Sequence, residues 1–182
     1  MTAFCDFYRE LLDCIESKLE ALATDAAVSA GSDGPSLAAW RATAQDAAVA
    51  GGIAAVISGA PSTLHALVRG ADPLEASLAA GTLVLPREGR PSRLLVAAAV
   101  VHLTLSFGWA LALALVLPRR HAGAWATLAG MGIAALDLGV IGRRFPRIRA
   151  LPLLPQVADH LAYAWTVAAV LAKRSRSRDA GA

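Results

Sequence analysis

Three histidines and two aspartates stand out because each lies inside a stretch otherwise empty of charge: His65, His102, Asp137, Asp159 and His160. Imidazole and carboxylate together can bind a metal, ligate haem, carry protons near neutral pH, or cross-link helices by hydrogen bonds. An ionisable group in an apolar segment is costly and tends to face a partner rather than lipid. The residues around the five are polar or aromatic in the same register, with Ser62, Gln156, Tyr163, Trp109 and Trp165 as supporting members.

The setting is an apolar chain. Hydrophobic residues make up 56% of 182 and charged residues 17%, with a mean hydropathy of +0.52, which points to lipid as the solvent. Charge divides unevenly: residues 1–46 hold three basic and eight acidic side chains, a net of −5, which leaves +8 for the remainder. Those later positive charges fall between apolar runs, where they serve topology and lipid headgroups, so nucleic acid is not an expected partner. Cys5 and Cys14 fit neither a CxxC redox pair nor a tetrahedral metal site. The first twenty residues have five acids and no signal-peptide pattern, so the N-terminal residues are expected to be kept.

Phe4, Tyr8, Leu11, Ile15, Leu19 and Leu22 recur at helical spacing, so 1–28 is expected to form an acidic amphipathic helix. Its apolar stripe over 4–22 would dock a protein partner or fold back on the protein's own surface. A Ser- and Gly-rich stretch at 29–36 opens a linker over 29–46. The membrane domain is expected over 47–172, with spans at 47–68, 94–117, 122–142 and 151–172, and a basic tail at 173–182. Pro61 should kink the first span, with Ser58, Ser62 and Thr63 satisfying the freed carbonyls. Asp72-Pro73-Leu74-Glu75 reads as the capped start of a short interfacial helix. The expected fold is therefore all-α, a four-helix transmembrane bundle with that interfacial helix and an N-terminal amphipathic one.

Depth gathers the five candidates. His65 lies four residues from Arg69, His102 nine from Arg93, Asp137 six from Arg143 and His160 eleven from Arg149, or about five from the helix start if that helix begins at Pro155, which puts all of them in the half nearer the 69–93 and 142–150 loops. Each also lies on a stripe of small or polar residues facing other helices. This suggests a polar cavity open to the loop side and floored by Trp109 and Trp165.

No phosphate loop, GxSxG elbow or GxGxxG fingerprint is present. Ser58 and His65 sit two turns apart on one helix, about 10 Å by rise alone, too far for a serine nucleophile and its base. No catalytic residue is expected. The favoured reading is a structural or accessory membrane protein pinned by a His/Asp network. The alternatives are a small-solute or proton-coupled carrier, or a metal or haem protein, with haem between His102 and His160. No HxxxH or HExxH pattern supports a particular metal, and no cofactor is expected.

The segments GAPSTLHAL at 59–67, DPLEASLAAGTLVLP at 72–86 and ALDLGVIGRRFPRIRALPLLPQVADH at 135–160 resemble a group of small four-span proteins of high-GC bacterial genomes, generally described as uncharacterised. The resemblance covers about 48–172 and brings no activity with it. It implies a multi-pass protein of a bacterial plasma membrane, with 1–46 as an addition. Seven positive residues flank the spans on the terminal side and eight on the other, so the positive-inside rule does not choose an orientation. The difficulty of exporting the acidic head favours both termini in the cytoplasm.

Overall fold

The computed structural model describes residues 36–118 and 120–180, so the expected helix over 1–28 lies outside the described residues. The chain divides into two compact units, Met1–Ala42 and Thr43–Ala182. Of the first, residues 36–42 are described. They form a helix start in which the Ser36 hydroxyl accepts the Ala39 N–H at 3.3 Å, an N-cap.

Every regular element among the described residues is helical. Helix α1, Leu37–Ile57, begins inside the stretch read as linker and stops eleven residues short of the expected end of span one. Helix α2, Ala60–Val68, restarts after the turn at Ser58 and Gly59, with Pro61 in its first turn. Proline has no N–H for the carbonyl one turn back, so the helix interrupts where a kink was expected.

Helix α3, Glu75–Gly81, is the short element after the break in charge-free sequence. The helix starts later than the expected cap: Leu74 is its N-cap, with no side-chain cap, while Asp72 accepts the Leu74 N–H at 2.8 Å in the turn before it and Glu75 binds Arg147. Helix α4, Pro91–Val116, starts with Pro91 in its first turn, where a missing N–H costs nothing. Gly81 lies against α4 so closely that a Cβ there would sit 2.2 Å from the Leu94 carbonyl oxygen, and only glycine permits that approach.

Helix α5, Ala122–Ala134, does not continue as α-helix to 142. It passes into a π-helical segment, Ala135–Ile141, and a 3-10 turn, Gly142–Arg144. The Gly142 N–H reaches back five residues to the Asp137 carbonyl, and a Cβ on Gly142 would meet that oxygen at 2.9 Å. A four-residue helix, α6, Pro146–Arg149, leads to the long α7, Leu153–Asp179. Helix α7 takes in most of the stretch read as a solvated tail.

Among the described residues three helical stretches are long and apolar enough to cross a membrane: Leu37–Val68, which is α1 with α2, Pro91–Val116 and Ala122–Arg144. Helix α7 is as long but carries Gln156, Asp159 and His160, and it is central to the packing. Asp46 meets Arg174 and Ser62 meets Asp159, so α7 runs antiparallel to α1 and α2. Gly130 packs against Leu161 and Ala164, and Thr127 bonds Trp165, so α7 is also antiparallel to α5. Tyr163 bonds Ser106 of α4. Ala50, Ala54, Ala110, Leu113, Ala126, Ile133, Ala164 and Val167 join these helices in one core.

The outward faces show the same division. Val49, Ile53 and Val56 of α1, Val96, Val100, Leu103 and Phe107 of α4, and Leu128 and Met131 of α5 point outward. Beyond its first turn, α7 exposes one large hydrophobic residue, Trp165.

Candidate functional site

The break between α1 and α2 organises the site. A helix end leaves its last carbonyls and first amides without intrahelical partners, and in an apolar environment those groups need partners from elsewhere. The Ala55 carbonyl, near the end of α1, accepts Nε2–H of His102 from α4 at 2.8 Å. The Ser62 amide, in the first turn of α2, donates to Oδ1 of Asp159 from α7 at 2.9 Å. A carboxylate at a helix N-terminus also gains from the helix dipole. The expectation that Ser58, Ser62 and Thr63 would repair the break holds for Ser62, whose hydroxyl bonds the Gly59 carbonyl at 3.3 Å, and two other helices supply ionisable groups as well.

One residue beyond Asp159, His160 ties α7 to α5. Its Nδ1–H donates to the Gln156 carbonyl at 2.7 Å, and its Nε2 faces Oδ2 of Asp137 at 3.2 Å. Asp137 lies in the π segment, and both side chains are largely covered, with 19% and 22% of their areas exposed. His102 and His160 are both near enough to Asp159 to interact with it electrostatically.

Four of the five candidates thus fall into neighbouring links: His102, Asp159, and the His160–Asp137 pair. His65 is on α2, half-buried, and its side chain makes no hydrogen bond among the described residues. Of the supporting residues, Ser62 and Gln156 touch the site through backbone groups. Tyr163 is buried and donates its hydroxyl to the Ser106 carbonyl. Trp109 packs against the core, whereas Trp165 is 53% exposed and donates to the Thr127 hydroxyl at 3.0 Å. Trp165 therefore faces outward instead of flooring a cavity. A cleft of about 220 Å³ lies on the loop side, lined by Leu138, Ile148, Arg149, Leu151, Leu153 and Gln156.

Two ionic links were not anticipated. Asp46, 3% exposed, accepts from Arg174 Nε at 2.5 Å and from Arg178. The signal was a lone acid directly before a charge-free run and two arginines four apart. Glu75 binds Arg147 through both oxygens, at 2.7 and 2.8 Å, joining α3 to α6. Those hydrogen bonds hold the Glu75 carboxyl below its ordinary range and raise Arg147 above its own. Glu88 is also held low, by the Arg90 amide first and then by Arg93.

Among the described residues no group of three His, Cys, Asp or Glu side chains is gathered to hold a metal ion. Haem between His102 and His160 does not fit this arrangement, because both ring nitrogens of His160 and Nε2 of His102 are engaged. No protein-family model, curated protein or solved structure matches the chain. Fold and composition define an all-helical protein with three helices suited to a membrane.

Proposed function

We propose that this is a four-span integral membrane protein of structural or accessory role, in which the buried polar residues fasten helices together. The observation behind this reading is that Asp46, Asp137, Asp159, His160 and Tyr163 each bond a helix other than their own, and no buried side-chain nitrogen or oxygen among the described residues lacks a partner. Helix α7 serves as the fourth span. It lies alongside α1 and α2 from Asp46 to Ser62, and between Asp159 and Arg174 it covers about 22 Å. Its neighbours meet the lipid in its place, which is why it can be the least apolar of the four. A bacterial plasma membrane with both termini cytoplasmic, and a protein partner for the 4–22 stripe, complete the proposal.

The test is substitution that keeps the hydrogen bond and removes the chemistry. His102→Gln and His160→Gln should leave the purified protein folded with wild-type thermal stability to within a few degrees, and His65→Asn should be silent. His102→Leu, which strands the Ala55 carbonyl, should lower stability by about 1–3 kcal/mol. A Soret band or stoichiometric metal in the purified protein would overturn the reading in favour of a ligand-handling one.

A second reading, a small-solute or proton-coupled carrier, is favoured by one observation. Asp159 sits half-buried with a backbone amide and no Lys or Arg as its partner, close to a cleft open to the loop side.

A further inference from the structure

The geometry points to a proton-binding site: Asp137 and His160 share one bound proton, which exchanges with the loop side of the membrane and holds α5 against α7. A carbonyl oxygen only accepts, so the 2.7 Å contact to Gln156 requires a hydrogen on Nδ1 of His160. Nε2 then faces a carboxylate oxygen at 3.2 Å. If His160 were neutral and Asp137 ionised, an imidazole lone pair would point at an anionic oxygen with nothing between them. One proton resolves the clash, either on Nε2 as imidazolium beside carboxylate or on Oδ2 as a carboxylic acid donating to neutral imidazole. In both forms the pair is neutral overall, as an apolar surrounding demands.

The neighbours leave this proton in place. Beside the pair stands Asp159 on α7, engaged with Ser62 of α2, and beyond Asp159 lies His102 of α4, which donates to Ala55. Among the described residues no Lys or Arg side chain is hydrogen-bonded to Asp137 that could replace the proton as counter-charge. The route is one-sided. The cleft is lined by Leu138, the chain neighbour of Asp137, and by Gln156, whose carbonyl orients His160, and it reaches Arg149 in the loop. In the other direction Tyr163 is closed onto Ser106, and Ala164, Val167, Ile133 and Leu113 fill the core behind it. Protons therefore reach the pair from the loop side. The inference holds whether the bundle is a scaffold or a carrier.

The experiment is nitrogen NMR of ¹⁵N-histidine-labelled full-length protein in lipid bilayers, with His160 assigned by His160→Gln, joined to infrared detection of protonated carboxyl groups. Near neutral pH, wild type should show either His160 protonated on both nitrogens or a protonated carboxyl band that disappears in Asp137→Asn. Raising the pH should remove that proton and lower the thermal stability with the same midpoint. Asp137→Asn can donate its amide N–H to neutral Nε2, so it should stay folded, keep a single ring proton on Nδ1 and lose the pH dependence. A singly protonated His160 beside an ionised Asp137 at every pH from 5 to 9 would overturn the assignment. So would a pH-dependent stability that Asp137→Asn leaves unchanged.

Discussion

Helix α7 holds a carboxylate against a neighbour at both ends, and the two are neutralised by different means. At one end Asp46 of α1 meets two whole charges, Arg174 and Arg178, whose long side chains are 40% and 47% exposed and run outward to the interface. At the other, Asp159 meets the orphan amide of Ser62, a partial charge at a helix start. Arginine can snorkel only near a membrane surface, where its stem stays in apolar surroundings and its head in water. Deeper in, the compensation is made from backbone groups, and these become free only where a helix is interrupted. The Pro61 break supplies them.

The comparison is most exposed to failure at the arginine end. Replacing both Arg174 and Arg178 with Ala leaves Asp46 buried without a counter-charge, and unfolding in detergent should become easier by about 3 kcal/mol. If the double variant unfolds like wild type, the two ends do not differ in kind. Next in size is Gly130→Val. A Cβ at Gly130 already lies 3.0 Å from the His160 carbonyl, so a branched side chain should push α5 from α7 at a cost of about 2 kcal/mol. Loss of the His160–Asp137 link in NMR would accompany it.

The Glu75–Arg147 pair gives a smaller effect, because both side chains are partly exposed, at 36% and 43%. Glu75 is held below its ordinary value of 4.5 chiefly by the Arg147 hydrogen bonds. Its contribution is complete above that value and lost as pH falls through the lower, folded one. Hydrogen exchange at 75–81 should therefore accelerate on acidification, by less than about 1 kcal/mol in local stability, and Glu75→Gln should remove the dependence. The smallest change is expected for Asp159→Asn. Its amide oxygen still accepts from Ser62, so stability should stay within about 0.5 kcal/mol of wild type, and a loss several times larger would show that the whole charge matters there.

Much of the helical layout is legible in the sequence because charge-free runs and proline positions are local signals. The interruption at Pro61 follows from one residue, and so does the start of α4 at Pro91. What repairs the interruption does not, since His102 and Asp159 come from 47 and 97 residues away and only packing brings them there. Of the nearest candidates by sequence, Ser62 turns its hydroxyl to the Gly59 carbonyl, while the Ala55 carbonyl takes its partner from α4. The π segment has no periodicity of its own to betray it, and Gly139 within it is a faint mark. The depth argument for Asp137 and His160 matches the pair that forms. His65, chosen by the same argument, sits half-buried on α2 with no side-chain hydrogen bond among the described residues. The Asp46 pair escaped because charges counted loop by loop look like headgroup contacts until the register of α1 against α7 is known.

Helix α7 is also the last of the four long helices to leave the ribosome. When α1, α2, α4 and α5 have been made, the Ser62 amide, the Ser106 carbonyl that Tyr163 will bond and the Asp137 carboxyl all still wait for groups that have not been synthesised. Arrival of α7 is then the step that closes the assembly, and it depends on companions already in place. A chain stopped at about residue 150 would hold the apolar walls without their fastener, and would present to quality-control proteases the seam that α7 normally covers.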